Sequence, residues 1–147
     1  MESALSTDAL FLKKFWVNKM DRGATGKKGE EFACEYYRKL GYDVRQMNYH
    51  SRYGEIDVIA ENESNIVFCE VKTRSSSTKS KPCEAVDYAK QQKLTLTAFR
   101  FLTENACEKT PRFDIFEVWV NYGRIYKYNN IENAFEPSDF SGRYDIF

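Results

Sequence analysis

Three charged side chains interrupt two apolar runs in GEIDVIAENESNIVFCEVKTR, Gly54 to Arg74: Asp57 in the first run, Glu70 and Lys72 in the second. Charges inside apolar strands are costly to bury unless they are paired or bind something. The runs predict strands of about Glu55–Ala60 and Ile66–Thr73, joined by the polar turn ENESN. With Ala60 facing Val67 in an antiparallel pair, Asp57 falls opposite Glu70, with Cβ atoms roughly 5 Å apart. Alternation then places Ile56, Val58, Ala60, Val67, Cys69 and Val71 on one face. The other face carries Asp57, Ile59, Phe68, Glu70 and Lys72. Opposed carboxylates destabilise a sheet, and Lys72 offsets only part of that. A hard divalent cation offsets more, since Mg²⁺ takes one or two carboxylates and fills its other positions with water and substrate phosphate. A lysine beside such a cation suits the orientation of a water nucleophile, or meets negative charge developing on a phosphoryl group. A partly buried Asp–Lys–Glu ion-pair cluster at a sheet end fits the same residues.

Further residues fall within reach of this constellation. Glu30 borders the apolar stripe of a predicted helix, about 60° from its centre at 100° per residue, whereas Glu31 and Glu35 point away. It can meet the sheet as another carboxylate, or simply favour the helix dipole as a first-turn acid. Lys90 and Gln91 begin the second turn of a later helix, where they can hold a phosphate or remain solvated surface. KTRSSSTKSK, Lys72 to Lys81, has Lys72, Arg74, Lys79 and Lys81 and no acid. That composition suits a loop tracking a phosphate backbone, or a solvated Ser-rich connection. Arg52 is a further candidate backbone contact; His50 and Asp114 read as structural.

The elements that position these groups follow from periodicity. A helix is predicted from about Lys27 to Leu40, with Phe32, Ala33, Tyr36, Tyr37 and Leu40 as its apolar stripe and Gly41 as a left-handed cap. YDVRQMNY is a short strand. After the hairpin, Glu84 to Ala106 reads as a long helix behind Pro82. Arg112 to Val120 is a strand, and Ile125 to Tyr128 pairs back on it through NYGR. The order α-β-β-β-α-β-β predicts an α/β domain, a mixed central sheet flanked by helices. Residues 1–25 form an N-terminal extension, 26–135 the domain, and 136–147 a tail.

Composition sets the outer limits. The chain has 147 residues, 42% hydrophobic and 30% charged, which suits one globular domain and argues against disorder. A formal net charge of zero removes bulk basicity as an argument for nucleic-acid binding. Residues 1–100 hold 17 Lys/Arg and 14 Asp/Glu, a net of +3, and residues 101–147 hold 5 and 8, a net of −3. Any basic face is therefore built from the first two thirds. Cys34, Cys69, Cys83 and Cys107 include no CxxC pair and His50 is the single histidine, so a structural zinc site is not expected. Reduced thiols in a cytoplasmic protein are the default. LFLKKFWVNKM, Leu10 to Met20, is too short and too interrupted by lysines to span a bilayer. It suits a short helix packing on the domain, or an amphipathic docking arm.

GKKGEEFACEYYRKLGYDV, NYHSRYGEIDVIA, IVFCEVKTR, EAVDYAKQQKL, RFDIFEV and IENAF resemble, in order, the YraN family of small bacterial proteins. The likeness runs from about Gly26 to Phe135. That family is similar to the PD-(D/E)XK nuclease superfamily, including archaeal Holliday-junction resolvases. The resemblance implies a restriction-endonuclease-like core and a metal-dependent endonuclease acting on DNA, with branched DNA among its expected substrates. It makes Asp57 and Glu70 ligands of Mg²⁺ (or Mn²⁺), Lys72 the catalytic lysine, and Glu30 a supporting acid. Two departures stand out: the superfamily's proline is Ile56 here, and Cys69 stands where a valine is usual. The competing class is an inactive nucleic-acid-binding or protein-interaction module on the same core. Symmetric substrates such as junctions suit a homodimer.

Overall fold

The computed structural model describes residues 11–12, 22–75 and 86–137. Two helices and five strands follow in the order α1 (Arg22–Lys39), β1 (Asp43–Ser51), β2 (Gly54–Glu61), β3 (Asn65–Ser75), α2 (Tyr88–Glu104), β4 (Thr110–Asn121) and β5 (Arg124–Phe135). The strands form one mixed sheet in the order β1-β2-β3-β4-β5. β1 and β2 pair antiparallel, as do β2 with β3 and β4 with β5, whereas β3 and β4 are parallel across the α2 connection. The α/β arrangement and element order are those expected from the sequence.

Each face of the sheet has its own core. Phe32, Ala33, Cys34 and Tyr37 of α1 pack on Val58, Ala60, Val67, Cys69, Phe116 and Val118. Leu94, Ala98 and Phe101 of α2 pack on Ile59, Ile66, Phe68 and Phe113. Each fully buried phenylalanine contributes on the order of 2 kcal/mol through removal of apolar surface from water. Strands covered on both sides are apolar on both faces, which leaves few positions for charge.

Helix α1 ends as its sequence predicts. Gly41, at φ +91, allows Gly41 N to donate to the Arg38 carbonyl and Tyr42 N to the Tyr37 carbonyl. Leu40 falls just past the helix and is 52% exposed, so it leaves the predicted stripe; Cys34 is buried instead. Helix α2 starts at Tyr88, later than expected, because the Asp87 carboxylate caps it by accepting from Lys90 N at 2.8 Å. Pro82 and Glu84 lie outside the described residues. The later start moves Lys90 and Gln91 into the first turn. β5 runs well beyond Tyr128, to Phe135.

Phe11 and Leu12 are helical, and the Phe11 ring rests on Phe32 at 4.6 Å between centroids. The rest of the Leu10–Met20 segment, and the tail from residue 138, lie outside the described residues. Cys34 and Cys69 are buried free thiols and Cys107 is a half-buried one. Among the described residues, no helix is long and apolar enough to cross a membrane.

Candidate active site

The site forms where the hairpin stops pairing. β2 and β3 pair as Glu61↔Ile66, Ala60↔Val67, Ile59↔Phe68 and Val58↔Cys69. The next positions along the two strands are Asp57 and Glu70, and there the ladder ends. The break has a neighbour in β1. Asn48 sits at φ +51, between the pairs Met47↔Val58 and Tyr49↔Ile56, and so faces Asp57. Alternation fails on either side of it. Met47 and Val58 belong to the α1 face, whereas Tyr49 and Ile56 join the α2 face. This corrects the expected grouping of Ile56 with Val58 and Ala60. A left-handed residue rotates the following side chains, and period-2 reading cannot see it.

Asp57 occupies the gap this opens. Its Oδ2 accepts from Val71 N at 2.7 Å, replacing the backbone acceptor that a continued ladder would supply. Asp57 and Glu70 are 8% and 7% exposed. Glu70 Oε1 lies 3.8 Å from Lys72 Nζ and 3.5 Å from Lys90 Nζ. Glu70 Oε2 is buried without a hydrogen-bond partner. Burial raises the Glu70 carboxyl to about 7, the Asp57 charge adds to the rise, and Lys90 and Lys72 oppose it. Burial also raises Asp57, with the Val71 amide pulling the other way.

Glu30 approaches from α1. Gly29 makes this close approach possible, since a Cβ added there would lie 2.5 Å from Thr73 Oγ1. Asn48 Nδ2 donates to Glu30 Oε2 at 3.1 Å. Burial raises Glu30; that hydrogen bond lowers it, and the charges of Asp57 and Glu55 raise it further. Glu30 and Asp57 thus act in one electrostatic field. Glu55 is half exposed and pairs with His50 at 3.2 Å, at the rim.

The other candidates divide. Lys90 joins the carboxylates from α2. Gln91 does not: its Nε2 donates to the Val86 carbonyl at 2.8 Å, within the helix start. Arg52 is in the β1–β2 turn, with Nη2 donating to Tyr53 Oη at 2.6 Å. Arg74 is 11% exposed and donates its Nε to Glu117 Oε2 at 3.0 Å. Lys79 and Lys81 lie outside the described residues. Glu117 was not singled out, yet it is 1% exposed and its Oε1 has no hydrogen-bond partner. It stands opposite Lys72 in the β3–β4 register. A charge inside RFDIFEVWV was the available signal, the same one that picks out Glu70.

Among the described residues, no three His, Cys, Asp or Glu side chains are grouped to hold a metal by themselves. Two buried carboxylates and an unpartnered oxygen fit a cation that keeps waters and takes substrate oxygens, as Mg²⁺ does.

The profile described as "Uncharacterised protein family UPF0102" matches residues 29–118. The chain belongs to the UPF0102 family. It is 41% identical over 122 residues to a UPF0102 protein of Caldanaerobacter subterraneus subsp. tengcongensis, covering 81% of this chain and 100% of that one. It is 42% identical over 116 residues to one of Syntrophomonas wolfei subsp. wolfei, covering 75% and 96%. A Clostridioides difficile UPF0102 protein is 38% identical over 117 residues, covering 79% and 100%. The UPF0102 match begins at Gly29 and spans Glu30, Asp57, Glu70, Lys72, Lys90 and Glu117. Phe11 lies outside it.

The raised Glu70 carboxyl predicts a pH dependence in metal-free protein. In the unfolded chain Glu70 ionises near its ordinary 4.5, and in the fold near 7. Between these values the folded state holds the extra proton, so Glu70 destabilises the fold as pH rises from about 4.5 to 7. The loss is on the order of 2–3 kcal/mol. Urea unfolding in EDTA at pH 5 and pH 7.5, beside Glu70→Gln, checks it: the wild type loses this stability and the variant does not. Equal pH slopes in the two proteins would contradict it.

Proposed function

We propose that this protein hydrolyses phosphodiester bonds in DNA, with Asp57 and Glu70 holding Mg²⁺ or Mn²⁺. The carrying observation is the pair of buried carboxylates at the end of the β2–β3 ladder, flanked by Lys72 and Lys90, with Glu70 Oε2 unpartnered. The similarity of the family to PD-(D/E)XK nucleases supports the same reading. When bound, the cation supplies charge neutralisation at the phosphate and a more acidic water. Lys72, 38% exposed at its side chain, orients that water for in-line attack. The water oxygen forms the new bond to phosphorus as the bond to the leaving sugar oxygen breaks. Lys90 adds positive charge where negative charge develops. Glu30, held by Asn48 and acted on by the Asp57 charge, would take up the proton of that water. Branched DNA is the expected substrate, in the cytoplasm, and a homodimer suits its symmetry.

A second reading has its own observation. Lys72 and Lys90 already approach Glu70, so the site can neutralise itself without a cation and serve a nucleic-acid-binding or protein-interaction module. Incubation with duplex, nicked and four-way-junction DNA in Mg²⁺ or Mn²⁺, beside Asp57→Ala and Lys72→Ala, separates the two. Cleavage by the wild type alone supports the nuclease. DNA retained in a binding assay with no cleavage above the variants overturns it and leaves the module.

A further inference from the structure

Beyond Glu70, side chains on the α2 face of the sheet stand in rows set by the strand register. Lys72, Glu117 and Asn129 form one row across β3, β4 and β5. Arg74, Trp119 and Lys127 form the next. α2 packs chiefly on β2 and β1, so this end of the face has no comparable helix cover among the described residues. The second row is cation, aromatic, cation. Its middle member is half-buried Trp119, and Lys127 Nζ lies 4.5 Å from the centroid of the Trp119 ring. Its first member is fixed from the neighbouring row, where Glu117 accepts from Arg74 Nε. The row spans two strand spacings, roughly 10 Å, or about three nucleotides at 3.4 Å each.

Proteins that bind single strands combine aromatic side chains, on which bases stack, with cations along the backbone. From this row we infer a single-strand platform: an unpaired base of the DNA stacks on Trp119 and a flanking phosphate meets exposed Lys127, while Arg74, its side chain 11% exposed and paired with Glu117, closes the other end of the row. Lys127 is exposed, and a surface cation–π contact is weak enough to exchange for a phosphate. Glu117 holds the Arg74 guanidinium back toward the first row, which leaves Lys127 as the row's accessible cation. This inference rests on the proposed action on DNA and adds the path of the strand beyond Lys72.

The test is a titration of the full chain with a fluorescein-labelled single-stranded 20-mer, followed by anisotropy in Ca²⁺ at several salt concentrations. Trp119→Leu is expected to weaken binding about tenfold with an unchanged salt slope, and Trp119→Phe to restore most of it. Lys127→Gln is expected to weaken binding a few-fold and lower the salt slope by about one. A duplex of the same sequence, its bases already stacked, loses nothing on Trp119→Leu. In a Trp16→Phe background, Trp119 is the one remaining tryptophan, and its emission falls as the single strand is added. Thermal melting confirms that each variant is folded. Wild-type affinity for the single strand in Trp119→Leu and Lys127→Gln overturns the platform while leaving the action on DNA standing. Failure of the wild type to bind any DNA overturns both.

Discussion

Glu70→Gln is expected to remove metal-dependent DNA cleavage, by at least about a thousandfold, while making the metal-free protein more stable above pH 7. The substitution keeps the shape of a side chain that is 7% exposed. On the proposed reading it removes one of two anionic ligands and would leave Asp57 alone to hold a divalent cation. A thousandfold loss corresponds to about 4 kcal/mol of transition-state stabilisation. Stability moves the other way, because two carboxylates that repel in a buried site become one. Lys90 and Lys72 temper the gain, since each loses an anionic partner. Single-turnover cleavage of a labelled junction, read beside urea midpoints in EDTA at pH 7.5, gives both quantities. A variant that still cleaves, or one that is less stable than the wild type under these conditions, would sink the assignment of Glu70 as an anionic ligand.

The second large effect belongs to stability alone. Asp114 is 1% exposed and occupies the irregularity between β4 and β5. Its carboxylate accepts from Arg112 Nε and Nη2 at 2.9 and 2.8 Å, from Tyr37 Oη at 2.6 Å and from Asn133 N at 3.0 Å. The last bond satisfies an amide that the interrupted ladder leaves over. Asp114→Ala strands the Arg112 charge, a buried phenol and a backbone donor at once. Removing one partner of a buried charged pair costs about 3–5 kcal/mol. For a domain of this size that is a fall in melting temperature of about 10–20 °C. Circular dichroism melts and urea titrations measure it. At low temperature the folded fraction is expected to keep the proposed cleavage, because Asp114 faces Tyr37 of α1 whereas Glu70 faces Lys90 of α2. A loss under about 1 kcal/mol would mean that the network carries little of the fold.

The hairpin was legible because its two strands are apolar and its turn is short. Pairing Ala60 with Val67 across the short turn puts Val58, Ala60, Val67 and Cys69 on a common face and brings Asp57 beside Glu70, and the fold adopts that pairing. Gly41 marked the end of α1 for an equally local reason, the positive φ of a helix cap. The switch of Ile56 to the α2 face was not legible, because it depends on a left-handed Asn48 in the neighbouring strand. Asn48 looks like any polar residue of an edge strand, yet it both turns the ribbon and holds Glu30. The start of α2 was misread because Pro82 outweighed Asp87 as a signal, and the carboxylate cap won. Arg74 read as a free cation because its partner lies 43 residues away, on a strand that meets β3 only in the fold.

The hydrogen bond from Val71 N to Asp57 Oδ2 turns one backbone amide into a gauge of the site. Its proton points at the carboxylate that would share the cation, and its acceptor changes charge whenever Asp57 gains or loses a proton. In an isotope-labelled sample, the Val71 cross-peak would move with each such event, and its exchange with deuterium would slow when the carboxylate is pinned in place. The state of a site made of side chains is thereby written into the main chain, where it can be followed without substrate and without altering any residue that does the chemistry.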